Sequence, residues 1–177
     1  MSDKKYIYYT DYHSAIGPLT VAATQKGICA VQFGDKTQTL PSLKAWSKKQ
    51  HIPGHMVEDK APFMEAVYQL EEYFSHHRQT FDLPFDLYGT SFQKVVWNAL
   101  SDIPYGETRS YKQIAAAIGA PKAVRAIGGA NNKNPLPILL PCHRVIGNNG
   151  NMVGYGGGID KKVYLLRLEG AISKVSS

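Results

Sequence analysis

Apolar and polar residues alternate through the first third of the chain, and apolar residues at helical spacing take over further on. The alternation predicts strands over 5–12, 19–24 and 28–33, separated by turns at Ile16-Gly17-Pro18 and Gln25-Lys26-Gly27. A Lys-, Pro- and His-containing loop is expected over 35–54. Phe63, Val67, Leu70 and Phe74 then recur on one face of a helix over 61–76. The segment 83–88, with Pro84, reads as an edge strand or extended linker, and the composition changes after Gly89. This places a domain boundary there, giving a small N-terminal domain over 1–88 and a second domain over 89–177.

The second domain reads as mainly helical. Thr90 caps a helix through Leu100 that ends at the turn Ile103-Pro104-Tyr105-Gly106. Ser110 caps another helix, with Ile114, Ala117 and Ile118 facing inward and Gly119 stopping it. Pro121 then suits the first position of a third helix through Ala130. Helix, short glycine-containing turn and helix make a helix-turn-helix pattern, although such pairs also serve as plain packing units. A last helix is expected over 159–168. The predicted class is therefore α/β: an antiparallel sheet plus helix, followed by a mainly helical domain with a helix-turn-helix.

Composition narrows the setting. The 177 residues are 44% hydrophobic and 11% aromatic, enough for a buried core, and no apolar run approaches the ~20 residues of a membrane span. The N-terminus lacks the apolar stretch of a secretory signal, so a cytoplasmic, non-membrane protein is expected. A formal charge of +6 favours an acidic partner such as nucleic acid. The two cysteines, Cys29 and Cys142, are too few for a disulfide framework or a Cys-rich zinc site. His13, His51, His55, His76 and His77 form no recognisable ligand spacing with Cys29. No metal and no cofactor is expected.

The candidate chemistry lies in Pro141-Cys142-His143-Arg144-Val145. A thiol with an ordinary pKa is only about 3% thiolate at neutral pH, and a nearby imidazole is one of the few groups able to raise that fraction. A buried structural cysteine is the competing reading. The flanking prolines and the Gly/Asn-rich loop over 147–158 favour the reactive one, because a packed core strand has little use for them.

The run Asn134-Pro135-Leu136-Pro137-Ile138-Leu139-Leu140-Pro141-Cys142-His143-Arg144-Val145-Ile146 closely resembles the signature of the O6-alkylguanine-DNA alkyltransferases. So do Gly106-Glu107-Thr108-Arg109-Ser110-Tyr111 and Arg125-Ala126-Ile127-Gly128-Gly129-Ala130 upstream, and Gly154-Tyr155-Gly156-Gly157 and Leu168-Glu169-Gly170 downstream. The resemblance covers about residues 84–170. It implies suicidal DNA repair, in which Cys142 takes the alkyl group from O6-methylguanine, and from O4-methylthymine too, after the base is flipped through the minor groove of double-stranded DNA. It further implies a Cys142, water, His143, Glu169 relay, and a Tyr111 hydroxyl on guanine N3. Arg125 is implied to fill the vacated stack from a helix whose small Ala123, Ala126, Gly128 and Gly129 permit close approach. Asn134 is implied as a hinge, and Val145, Val153, Gly154, Tyr155 and Gly156 as lining for the base pocket. The protein is expected to act as a monomer.

Each residue also has an ordinary reading: Tyr111 in a core, Arg125 on a solvated helix, Glu169 as a solvated helix-terminal carboxylate, Arg144 as a structural ion-pair former. Three functions compete with alkyl transfer. They are a non-catalytic protein that binds the alkylated lesion, a helix-turn-helix transcription factor, and a cysteine hydrolase using Cys142, His143 and Glu169. The first is disfavoured because Cys142 is present, and the last by the lack of a recognisable oxyanion-hole motif.

Overall fold

In the computed structural model, which describes residues 4–152 and 154–172, the alternating N-terminal segments form β1 (Tyr6–Ser14), β2 (Gly17–Thr24) and β3 (Gly27–Phe33). β1 pairs antiparallel with β2, and β2 with β3. The stretch expected as a loop over 35–54 instead contains α1 (Lys36–Lys49), followed by β4 (His55–Glu58), which joins β1 in parallel. Parallel pairing needs a crossover, and α1 lies within it. Pro41 inside α1 hides the helix from a pattern reading. The signal that specifies it is a capping box: the Asp35 side chain accepts from Gln38 N, and the Gln38 side chain accepts from the Asp35 backbone.

The sheet order is β3-β2-β1-β4, and Leu19 to Ala23 of the central β2 are buried at every position, so both faces are covered. On the face of α1, Ile7, Ala22, Cys29, Ala30, Leu43 and Ile52 form the core, with Trp46 and Tyr88 packed against it. The polar groups taken into this layer are paired: Thr39 Oγ1 donates to Thr20 Oγ1 at 2.7 Å, and Thr20 Oγ1 donates to the Gly34 carbonyl at 2.8 Å. A 3-10 turn (Ala61–Phe63) leads into α2 (Met64–Phe74), which packs against β1. Its buried stripe is Phe63, Ala66, Leu70 and Tyr73, rotated from the expected one, and Val67 and Phe74 are only half-buried. The 83–88 segment runs extended beside β3, with Ile28 N donating to Pro84 O and Asp86 N to Ile28 O, both at 2.9 Å. Gly27 is required there, since a Cβ would lie 2.5 Å from Pro84 O.

The chain divides into two compact units, Met1–Tyr88 and Gly89–Ser177. The second contains α3 (Ser91–Leu100), β5 (Arg109–Ser110), α4 (Tyr111–Ala117), α5 (Val124–Asn132), β6 (Val145–Ile146) and α6 (Ile159–Leu168). Thr90 and Ser110 cap α3 and α4 through further capping boxes with Gln93 and Gln113. Gly119, at φ +74°, ends α4 in the left-handed conformation that glycine adopts without cost. Pro121 is not the first helical residue: Pro121 to Ala123 form a turn and α5 starts at Val124, three residues later than expected. α5 packs against both α3 and α4, and the indole N–H of buried Trp97 donates to the Ala130 carbonyl at 2.8 Å. The short strands β5 and β6 pair in parallel, Arg109 with Val145 and Ser110 with Ile146, and so join the start of α4 to the end of the Cys142 segment. No helix among the described residues is long and apolar enough to cross a membrane.

Candidate active site

The approach to Cys142 is built by Asn134 and the apolar run after it. Asn134 Oδ1 accepts from Leu136 N at 2.9 Å, making an Asx turn, and its Nδ2 donates to the Leu140 carbonyl at 2.8 Å, which closes the loop on itself. Leu136, Ile138, Leu139 and Leu140 are buried, and Ile138 is held at φ +75°. A β-branched residue pays for that conformation, so the surrounding packing must impose it. The chain then turns sharply, Cys142 N donating to Leu140 O at 2.7 Å, and Cys142–Arg144 form a 3-10 turn rather than extended chain. The alternation expected of an extended pair does not apply, and Cys142 and His143 are both interior, 4% and 0% exposed.

His143 Nε2 lies 2.8 Å from Glu169 Oε2. Glu169 is the residue after α6 and is buried, not solvated, because Arg144 clamps it: Arg144 Nε donates to Oε1 at 2.8 Å and Nη2 to Oε2 at 2.9 Å. Burial acts to raise the Glu169 pKa, but hydrogen bonds from His143 and Arg144 outweigh it and hold the carboxyl down at about 2. Burial lowers the His143 pKa, and the positive charges of Arg144 and Lys162 add to that against the pull of Glu169. With His143 neutral, Arg144 supplies the charge that keeps Glu169 ionised. An ionised carboxylate only accepts, so Nε2 carries the ring proton and Nδ1 is the basic nitrogen. Nδ1 is buried and has no hydrogen-bond partner among the described residues.

Burial pushes the Cys142 thiol up to about 11, while hydrogen bonding from the Asn134 side chain and the charge of Lys162 pull the other way. The resting group is therefore a thiol, and chemistry at sulfur requires an acceptor for its proton. Lys162 is 0% exposed and donates through Nζ to the Val145 carbonyl; burial lowers its pKa to about 8. Sequence reasoning missed it, although Lys162, Leu165, Leu166 and Glu169 share the i, i+3, i+4, i+7 spacing of one helix face, where a lysine among leucines is out of place. It also missed Asn131, which is buried at the end of α5, donates through Nδ2 to the Cys142 carbonyl at 3.4 Å and is hydrogen-bonded with Tyr111.

Tyr111 is the first residue of α4, half-buried, with its pKa raised by burial. It lies close to Gly154, where an added Cβ would sit 3.4 Å from the Tyr111 hydroxyl and 3.0 Å from Asn132 Oδ1. Burial raises the Tyr155 pKa well above the ordinary value, and its electrostatic neighbours Cys142 and Glu169 act in the same direction. The structure thus brings Cys142, His143, Glu169, Asn134, Val145, Tyr111, Gly154 and Tyr155 into one region. Gly156 is on the same loop, where a Cβ would lie 3.9 Å from Asn132 O. Val153 lies outside the described residues. Arg125 stands apart from this cluster: Arg125, Ala126 and Gly129 lie on the exposed face of α5, with Ala123 and Gly128 half-buried beside them. Nothing lies within 4 Å of a Cβ added at Gly129. This face is small, open and topped by one long cation.

The family of the chain follows from comparison with known proteins. The profile for the 6-O-methylguanine DNA methyltransferase ribonuclease-like domain matches residues 7–87, and that for the DNA binding domain of the same proteins matches residues 91–171. The chain belongs to the 6-O-methylguanine DNA methyltransferase family. Among its relatives, the methylated-DNA–protein-cysteine methyltransferase of Methanosarcina barkeri is 48% identical over 92% of this chain and 97% of its own length. That of Mycobacterium leprae is 45% identical over 92% of each. The crystal structure of Mycobacterium tuberculosis OGT in complex with DNA aligns with a TM-score of 0.78 at 43% identity, covering 92% of both chains. The O6-methylguanine-DNA methyltransferase of Pyrococcus kodakaraensis aligns with a TM-score of 0.64 at 26% identity, over 93% of this chain and 99% of that one. The expected mixed α/β N-terminal domain and helical second domain agree with the fold of these proteins.

Proposed function

We propose that this chain repairs O6-alkylguanine in double-stranded DNA by moving the alkyl group to Cys142 in one irreversible event. As a methylated-DNA–protein-cysteine methyltransferase it performs DNA repair by alkyl transfer, and the further steps are our reading of its residues. The observation that carries the reading is a buried thiol beside an imidazole whose far nitrogen is held by an ionised carboxylate. Cys142 Sγ attacks the alkyl carbon, forming the S–C bond as the bond from carbon to guanine O6 breaks. The thiol proton passes through a water to His143 Nδ1, and the imidazolium is stabilised by Glu169. Tyr111 donates to guanine N3 and stabilises the leaving base. The thioether has no regeneration route, so each molecule acts once.

A base inside the stack does not reach an interior thiol, so the lesion must be extruded, at a cost of a few kcal/mol that is least for a damaged pair. The exposed Arg125 and the small face of α5 support a role in offsetting that cost at the minor groove, with Asn134 as the hinge between this helix pair and the cysteine turn. The loop carrying Val153, Gly154, Tyr155 and Gly156, with Val145, lines the base pocket, which also admits O4-methylthymine. We infer action as a monomer in the reducing cytoplasm, which suits two free cysteines. Binding of the lesion without transfer is the alternative, and the presence of Cys142 argues against it.

Intact-mass spectrometry after mixing the protein with excess duplex carrying O6-methylguanine tests the proposal. One methyl per molecule, located on Cys142 and absent from Cys142→Ser, is the expected result. Tight binding with no mass change would leave the lesion-binding alternative.

A further inference from the structure

Glu169 is shared by two side chains, and only His143 belongs to the proton path. The other, Arg144, is buried, uses its planar fork on both oxygens of Glu169, donates through Nη1 to the Ile103 carbonyl at 2.6 Å, and lies 5.8 Å from the centre of the Tyr105 ring. Each of the three guanidinium nitrogens thus has a partner, which fixes the plane of the group and through it that of the carboxylate that meets His143 Nε2. A lysine at this position would offer a point charge in place of the fork.

The charges around His143 show what this clamp does. Among the described residues, Glu169 is the one anion that acts on it. The cations are Arg144, from its own turn, and Lys162, from α6; the other titratable neighbours of this cluster among the described residues are the Cys142 thiol and the phenols of Tyr105, Tyr111 and Tyr155. A carboxylate alone beside a buried imidazole draws a proton onto the ring and occupies the basic site the reaction needs. With the guanidinium bound to both oxygens the pair is neutral, and protonating the ring would add net positive charge to an interior that already holds Lys162.

We propose that Arg144 is a positioning residue for alkyl transfer: by neutralising Glu169 and fixing its Oε2 on Nε2, it keeps His143 as the neutral Nε2–H tautomer with Nδ1 ready for the Cys142 proton. This rests on the reading of His143 as proton acceptor. A role for Arg144 in packing alone would leave the titration of His143 where it was.

The test is nitrogen-15 NMR of histidine-labelled protein carrying Cys142→Ser, with the His143 ring followed against pH. The Nε2–H tautomer is expected at pH 7, with titration below the ordinary histidine value because the ring is buried. Adding Arg144→Met is expected to raise that midpoint by about one unit or more. In protein retaining Cys142, Arg144→Met is expected to move the acid limb of the single-turnover transfer rate upward by the same amount. A midpoint at or above the ordinary value before Arg144 is changed, or one that Arg144→Met does not move, overturns the proposal. Should Arg144→Met not fold, Arg144→Lys serves: the titration stays and transfer slows about tenfold as the fork is lost, whereas unchanged transfer overturns the positioning role. His143→Ala separates the two readings, since undiminished transfer there would end the acceptor role while leaving the titration result standing.

Discussion

Asn131 and Cys142 are joined by a hydrogen bond from the Asn131 side chain to the Cys142 carbonyl, 3.4 Å long and wholly buried. Asn131 is in the last turn of α5, the helix whose outer face carries Arg125, and it is also bonded with Tyr111 at the start of α4. One amide therefore ties both helices of the pair to the backbone of the reactive turn.

Asn131→Ala removes this tie without touching the thiol or the outer face of α5. A lost hydrogen bond of this kind is worth about 1 kcal/mol, so transfer is expected to slow roughly fivefold where the bond orients the nucleophile. Single-turnover kinetics and a DNA-binding titration check it together: affinity within about twofold of the parent is expected, and parallel losses of both would show that Asn131 acts on the docking helix instead.

Acid is expected to destabilise the second unit in two stages, both of the same sign. The folded pKa of His143 is below its ordinary 6.5, so the unfolded chain takes up the proton first and stability falls as pH drops below that value. Glu169 is held at about 2 against an ordinary 4.5, so its contribution is full above 4.5 and is lost as pH falls towards 2. The second stage is worth on the order of 3 kcal/mol. Urea unfolding between pH 7 and 3 should give a shallower slope for Glu169→Gln in the lower window. A slope equal to that of the parent there would remove Glu169 as the group responsible.

Gly129 offers a substitution with opposite effects on folding and binding. A Cβ meets nothing within 4 Å, and the residue is inside a helix, so Gly129→Ala should stabilise the fold by about 0.5–1 kcal/mol. The same methyl thickens the face proposed to enter the minor groove, and weaker binding to duplex DNA is expected. A variant that is more stable and binds as tightly as the parent would falsify close approach at this position.

Gly89 has no such room. A Cβ there would lie 2.4 Å from Cη2 and 2.6 Å from Cζ3 of Trp97, a buried ring held by its hydrogen bond to the Ala130 carbonyl. Gly89→Ala is expected to cost about 1–3 kcal/mol in urea unfolding. A value near zero would mean that the start of the second unit yields easily.

The elements that were legible in the sequence are those with a local cause. Alternation marks β1 to β3, Thr90 and Ser110 mark α3 and α4, and the Cys142 segment stands out by its prolines and imidazole. α1 was illegible to periodicity because Pro41 interrupts it and its apolar face is weak, although its Asp35–Gln38 capping box is of the same kind as those of Thr90–Gln93 and Ser110–Gln113. Glu169 could not be read as buried, since its partner Arg144 lies 25 positions away and the pairing exists only when α6 returns to the cysteine turn. The 3-10 turn at Cys142 depends in the same way on Asn134 and the packing around Ile138, which no local pattern encodes.

The chain has two tryptophans, and each belongs to a different unit: Trp46 is half-buried in α1, and Trp97 is enclosed in α3 with its indole N–H on the last turn of α5. Indole emission shifts to the red when the ring meets water. With Trp46→Phe the remaining signal comes from the second unit alone, and with Trp97→Phe from the first. The protein thus carries two built-in optical probes, able to tell whether the units melt together or in turn, without any attached dye.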